Sequence, residues 1–327
     1  MSIAFPERDV RHLQAMGFYM QKINLSPFFK KIIIWILLAE SALILSTRLG
    51  AFLHEFVGHG LMAEFFGGTF EAFRITLFAG GKAHFYGNFN ETASLCVSMG
   101  GIAVNLVIGI LALLIIQKRK LSFSFILFGI FLAAVSILSQ VQYLILGAYY
   151  HYGDPLCLVK YPAALFLAWT GGLLVLAGFS LYIMRLFYRF QNTYFPSSHI
   201  FNRAVISLFI LGIPILIYAG FYQCSKTPIG STKAIQVAQL RAQKEAERIK
   251  AETKSEKSIE EIKKEIEPYP ILPWILAVYF LTSLLAFLYP AKKNKVEYYP
   301  PLPCSFLYPL PWIIVSLSVL GLIAFLW

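Results

Sequence analysis

Two histidines and a glutamate are the side chains here best suited to chemistry. They stand together in Ala51-Phe52-Leu53-His54-Glu55-Phe56-Val57-Gly58-His59-Gly60, inside or at the end of an apolar run that starts near Ile32. Ionisable groups in lipid-facing company are costly and mark function by default. Two imidazoles that share a helix face can hold a zinc ion, and an adjacent glutamate can act as general base in a hydrolysis. The usual spacing is His-Glu-x-x-His, with the histidines at i and i+4. Here the second histidine falls at i+5. In a regular α-helix such residues differ in direction by about 140°, so the rings would point apart. A π-bulge absorbs one extra residue, and such bulges gather at functional sites. Gly58, next to His59, weakens the helix locally and makes that distortion cheaper. The spacing therefore predicts a bulge around Gly58 if both imidazoles serve one metal. The alternative is a pair of interfacial groups, His54 and Glu55, with His59 a hydrogen-bonded packing residue.

The elements that must position these groups lie in a membrane. Hydrophobic residues make up 58% of the chain and charged residues 14%, against about 45–50% and about 25% in soluble domains. The apolar runs are continuous and reach bilayer-spanning length, which points to helices and not to a barrel. The fold class is an all-α polytopic membrane protein of about seven transmembrane helices, with a small membrane-associated β-hairpin after the first. Spans are expected from Ile32, then at about 94–116, 123–150, 163–187, 204–221, 271–288 and 306–327. The first apolar run continues to Phe66, too long for one straight crossing, so it either tilts and emerges or kinks near Gly50 and re-enters. Gly67-Gly68 ends it. Residues 69–91 alternate apolar and polar around Gly80-Gly81 and read as the hairpin.

Three regions follow: a basic N-terminal arm over 1–31, a membrane core over 32–190, and an accessory membrane region over 191–327. The accessory region includes a polar stretch, 225–268, expected to be a solvated helix with a narrow apolar stripe of Ile259, Ile262 and Ile266. The net charge of +11 is read as positive-inside loops. No clustered basic face suggests nucleic acid. Cys96, Cys157, Cys224 and Cys304 are scattered and form neither a thiolate metal motif nor a disulfide framework. The arm, Lys118–Lys120, Arg185 and Arg189, and Lys292–Lys295 fall on one side if there are seven spans. That side, with the N-terminus, is expected to be cytoplasmic.

This topology returns the chain to the histidines at the end of the third span, at Gly153-Asp154. Two histidines, a carboxylate and an open fourth position form the ligand set of a catalytic zinc. His151, three residues earlier, is an alternative to Asp154. Glu40 lies mid-span and is expected to line a water path or to bond a neighbour such as Gln140 or Gln142. His84, on the hairpin, is expected to be solvated.

Taken in order, these motifs resemble the site-2 protease family of intramembrane zinc metalloproteases, over about residues 32–187. His54-Glu55-Phe56-Val57-Gly58-His59 is similar to that family's metal-binding helix, Gly67-Gly68 to its end, and residues 69–91 to its hairpin. Gly100-Gly101-Ile102-Ala103-Val104-Asn105 resembles the Gly-Pro-x-x-Asn motif that opens the next span, with Gly101 or Ile102 where the proline is expected. Gly153-Asp154 matches the third-ligand motif. The added residue departs from the pattern, although a soluble zinc dipeptidyl-peptidase family uses His-Glu-x-x-x-His followed by glycine. An outward-facing site is a second departure.

The resemblance implies one zinc ion per chain, held by His54, His59 and Asp154. Glu55 would be the catalytic residue, taking a proton from the water that zinc activates and passing it to the leaving amine. Asn105, ahead of Asn88 or Asn90, would bind a peptide carbonyl or the oxyanion, unless it is interhelical glue. The expected partner is a membrane protein or peptide substrate, which the hairpin could clamp by strand addition. The rival readings are a membrane protein of the same fold that binds client transmembrane segments without cutting them, and a transporter that uses Glu40 and His54.

Overall fold

The computed structural model describes residues 26–77, 80–118, 121–196, 200–224, 230–253, 259, 261, 271–288, 305 and 307–325. Helix α1 spans Pro27–Phe52, opened by Ser26, whose hydroxyl accepts the Phe29 N–H, and by Pro27 at the first helical position. Proline there forfeits no helical hydrogen bond. Of the two alternatives for the long first run, the kink near Gly50 does not occur. The backbone stays right-handed helical through Phe52 and Leu53, and only the pitch changes. Leu53–Leu61 is a π-helix, after which Met62–Phe65 (α2) returns to α-geometry. The helix ends where glycine was expected to end it. Gly67 sits at φ +80°, and the N–H groups of Gly67 and Gly68 reach back to the carbonyls of Glu64 and Ala63 at 2.9 and 2.8 Å. That satisfies two of the carbonyls a helix end leaves over.

The hairpin is present, as strands β1 (Thr69–Ile75) and β2 (Gly81–Tyr86). They pair antiparallel, Thr69 opposite Tyr86 and Ile75 opposite Gly81, with an irregularity between Phe70 and Ala72. Aromatic contacts lay β1 on the helix that precedes it. Phe73 packs on Phe52 and Phe56, and Phe70 on Phe56, with ring centroids 5.5–5.7 Å apart.

The chain then forms α3 (Glu91–Lys118), α4 (Phe123–Ala133), a second π-segment (Ala134–Ser139) and α5 (Gln140–Tyr150). A 3₁₀ segment, Asp154–Lys160, leads into α6 (Pro162–Tyr194). Beyond it lie α7 (Ile200–Ser207), a third π-segment (Leu208–Gly212), α8 (Ile213–Cys224), α9 (Gly230–Thr253), α10 (Leu272–Leu288) and α11 (Leu310–Phe325). Four helices are long and apolar enough to cross a membrane: Glu91–Gln117, Phe123–Tyr150, Pro162–Tyr194 and Ile200–Phe221. Two shorter apolar helices, Leu272–Leu288 and Leu310–Ile323, accompany them. The protein is a polytopic helical membrane protein with one small sheet among the described residues.

At one end of the bundle Trp35, fully buried, packs against Phe123, Phe187, Phe190 and Tyr194. His54 lies nineteen residues further along the same helix, roughly 28 Å at 1.5 Å per residue, so the histidines occupy the opposite end. There the π-helix and α3 meet backbone to backbone. A Cβ added at Gly58 would stand 2.3 Å from the Gly101 Cα, and one added at Gly100 would stand 2.0 Å from the Gly58 carbonyl oxygen. Small residues permit such approach, which in lipid replaces hydrophobic burial as the source of helix association.

Of the two readings of Glu40, the bond to Gln140 or Gln142 does not form: its carboxylate has no hydrogen-bond partner among the described residues, and Gln142 accepts the Tyr279 hydroxyl at 3.2 Å. One expectation needs correction. The polar stretch is helical over Gly230–Thr253 but not wholly solvated. Ala242 and Ala246 are buried, and α9 packs on α5, where the small alanines allow close contact. Of the apolar stripe, Ile262 and Ile266 lie outside the described residues, as does most of the basic arm.

Gly58→Ala is expected to cost about 1–3 kcal/mol by overpacking a backbone contact, lowering the thermal unfolding midpoint of the detergent-solubilised protein. Gly171→Ala, with nothing within 4 Å of the added atom, should leave that midpoint unchanged or slightly raised.

Candidate metal centre

The π-helix answers the spacing question. Its backbone hydrogen bonds join residues five apart, so one turn sets His59 over His54. The two Nε2 atoms stand 3.3 Å apart, with ring centroids at 4.9 Å. Asp154, first residue of the 3₁₀ segment, brings Oδ2 to 3.0 Å from the His54 Nε2 and 3.3 Å from the His59 Nε2. These are the residues that the sequence offered as a ligand set. His151 does not join them. It caps α5 in the left-handed conformation and is exposed, its carbonyl accepting from Arg241, at 2.5 Å.

The donor triangle can be tested for fit to zinc. Tetrahedral zinc with nitrogen and oxygen ligands at about 2.0–2.1 Å has ligand–ligand edges of about 3.3 Å. The observed edges are 3.0, 3.3 and 3.3 Å, so the three atoms form one face of such a tetrahedron. The protonation pattern agrees. His59 Nδ1 lies 2.7 Å from the Val97 carbonyl oxygen, which only an N–H can approach as a donor. That tautomer leaves the Nε2 lone pair facing the other two donors, the arrangement by which proteins orient metal-bound histidine. Three electron-rich atoms so close repel unless a cation or proton lies among them. The residues fit a metal ion. His54 Nδ1, by contrast, is buried with no partner among the described residues.

Glu55 is 6% exposed and faces β2. A Cβ at Gly81 would stand 2.6 Å from the Glu55 Cγ and 3.0 Å from its Oε1, and the Ala83 backbone lies within hydrogen-bonding reach of the carboxylate. The hairpin thus runs directly against the glutamate. On the same strand, the Phe85 ring stacks over His59 at 6.3 Å.

Asn105 is 1% exposed, and its Oδ1 has no partner among the described residues. It lies one helical turn from Gly101, whose added Cβ would meet the His54 ring at 2.5 Å, and one turn from Gly109, which packs on Ser136 and Ile137. Asn105 therefore lies on the stripe of α3 between Gly101, which meets the His54 ring, and Gly109, which meets the second π-segment. Asn90 is a helix cap, accepting the Ala93 N–H at 2.8 Å, and Asn88 is exposed. His84 is exposed, as expected.

Sequence reasoning missed Val97 and Ala83, which act through backbone atoms and carry no side-chain signal. It also missed Tyr143, whose ring lies 6.3 Å from that of His54.

A profile of the family described as peptidase M50B-like matches residues 31–194, just over half of the 327-residue chain. The chain belongs to this family. The resemblance to site-2 proteases read from the order of its motifs is borne out. The matched stretch begins just before the first expected span and ends with α6, so it contains the histidines, the hairpin, α3 and Asp154. No curated protein and no solved structure matches the chain.

Gly101→Ala is expected to push the His54 imidazole out of the donor triangle. The check is zinc content after purification, which should fall well below that of wild type while α-helical content stays the same.

Proposed function

We propose that this protein is an intramembrane zinc metalloprotease that hydrolyses peptide bonds of membrane-embedded or membrane-adjacent substrates. The single observation that carries the reading is the donor triangle of His54, His59 and Asp154 with Glu55 beside it, in a chain of a peptidase family. One zinc ion at these three residues would supply a Lewis acid and lower the pKa of water to about 7.

The remaining work falls to side chains and backbone of this chain. Glu55 takes the proton of the attacking water and hands it to the leaving amine. Its burial against β2 suits a group that must change protonation state during the cycle. The Val97 carbonyl holds His59 in the tautomer that presents Nε2. Asn105 is the candidate amide for the peptide carbonyl or oxyanion. Its unpartnered Oδ1 and its place one turn after Gly101, which meets the His54 ring, support that role over interhelical glue.

A peptide bond inside a helix is hidden by its own hydrogen bonds, so the substrate must be extended. The edge of β2 that faces Glu55 is the natural template: an unfolded segment adding there as a strand would pass the carboxylate. The hairpin reaches this position through Arg48, a buried guanidinium that donates to the Thr76 carbonyl and, at 3.2 Å, to the Tyr218 hydroxyl on α8.

The seven-span arrangement counts the helix containing Pro27–Phe52 and the two shorter apolar helices with the four long ones. Lys30, Lys31 and Arg189 gather near the Trp35 cluster, away from the histidines. That supports a cytoplasmic N-terminus and a site toward the opposite face.

Glu55→Gln preserves shape while removing the base. Membranes from cells making wild type should contain new peptide termini, identified by mass spectrometry, that are absent with Glu55→Gln. Cleavage of any such substrate should fall by roughly 10²–10⁴-fold with zinc content unchanged. Identical termini from both proteins would exclude hydrolysis at this site.

A further inference from the structure

We propose that Tyr143 is a positioning residue for the metal centre, fixing the backbone at Asp154 so that the carboxylate meets both imidazoles. The proposal rests on the reading of His54, His59 and Asp154 as zinc ligands.

The two histidines are set by one helix, but Asp154 opens a 3₁₀ segment that is reached through the irregular turn 151–153. Between α5 and the 3₁₀ segment the chain turns through two residues of positive φ, His151 and Gly153. His151 lies at φ 52°, ψ 52°, the left-handed region that a non-glycine residue seldom occupies. Gly153 lies at φ 64°, ψ −148°, close to a region open essentially to glycine alone. Such backbone persists only where its surroundings over-determine it.

Tyr143 provides that determination. Its hydroxyl oxygen accepts the Asp154 backbone N–H at 3.0 Å, from eleven residues earlier in the chain. The same oxygen fills the space beside Gly153, where an added Cβ would stand 2.0 Å away. Its ring packs edge-on to the His54 imidazole, at 63°. One phenol thus contacts the third donor's backbone, the glycine before it and the first donor's ring. A further bond, Tyr152 N–H to the Gly147 carbonyl at 2.8 Å, closes the helix end just upstream. With the Asp154 N–H tied, rotation about the Gly153–Asp154 junction would break this partly buried hydrogen bond before the carboxylate could leave the imidazoles. Groups of this kind, outside the ligands but bonded to them, typically govern metal affinity by 10–100-fold.

The test is zinc affinity, measured by competition with a chromophoric chelator on full-length protein in detergent. Wild type, Tyr143→Phe, Gly153→Ala and His59→Ala are compared, with thermal melts of each in metal-free and zinc-loaded form. Tyr143→Phe keeps the ring and removes the one acceptor. The expected result is a zinc Kd raised by roughly 10–100-fold, with a matching decrease in the extra stability that zinc confers. Gly153→Ala, which presses a methyl group against the phenol oxygen, should move the same way. A merely structural tyrosine would lower the melts of both forms together and leave the Kd at the wild-type value, and that result would overturn the proposal while leaving the zinc centre intact. If wild type binds zinc no better than His59→Ala, the zinc reading itself fails, and the positioning role with it.

Discussion

The structure depends first on a contact between two backbones. The π-helix Leu53–Leu61 and helix α3 approach so closely that no side chain fits between Gly58 and the Gly100-Gly101 pair. That approach puts the Val97 carbonyl within reach of His59 and the Gly101 backbone against the ring of His54. Further along α3, Asn105 and Gly109 follow Gly101 on the same stripe, and Gly109 meets Ser136 and Ile137 of the second π-segment. In lipid no hydrophobic driving force between helices makes up for looser packing, so a contact of this kind carries much of the association on its own.

Around that contact the accessory helices are joined by polar links, most of them away from the candidate metal centre. Ser180 and Thr282 exchange a hydroxyl bond at 2.8 Å, and Ser316 reaches the Ser41 carbonyl at 3.3 Å. Tyr279 approaches the Leu138 carbonyl, inside the second π-segment, where the regular ladder is interrupted. Arg203 donates to the Phe287 carbonyl and lies over that residue's ring. Two links go further toward the site: Arg48 joins α8 to the hairpin, and Arg241 joins α9 to the turn that carries Asp154. The accessory region is thus joined by hydrogen bonds both to the hairpin beside Glu55 and to the turn before Asp154.

Much of this was legible in the sequence because it is written in side-chain type and period. Apolar runs of bilayer length, glycine pairs at turns, the alternation of residues 69–91 and the order of His54, Glu55, His59 and Asp154 each have a direct physical reading. The π-geometry was legible for one reason only: two residues of known chemistry stood one position too far apart. The π-segments at Ala134–Ser139 and Leu208–Gly212 carry no such pair of markers and were invisible. Gly100 and Gly101 were noticed for their likeness to a motif, yet their physical task, admitting another backbone, cannot be read without the partner helix. Tyr143 gave no signal either, since a tyrosine near a span end is ordinarily an interfacial anchor. The cost of Glu40 allowed two readings, a water path or a glutamine partner, and the structure excludes only the second, since Gln142 is engaged elsewhere.

The extra residue between the histidines also decides what a sequence shortened at this point would keep. A π-turn takes in one more residue than an α-turn, so the helix that resumes at Met62, and the chain leaving it at Gly67, keep the direction that a regular helix with one residue fewer would give them. The insertion is absorbed locally, among the residues between the two rings. A shortened motif would therefore restore the familiar sequence pattern and leave the hairpin aimed as it is.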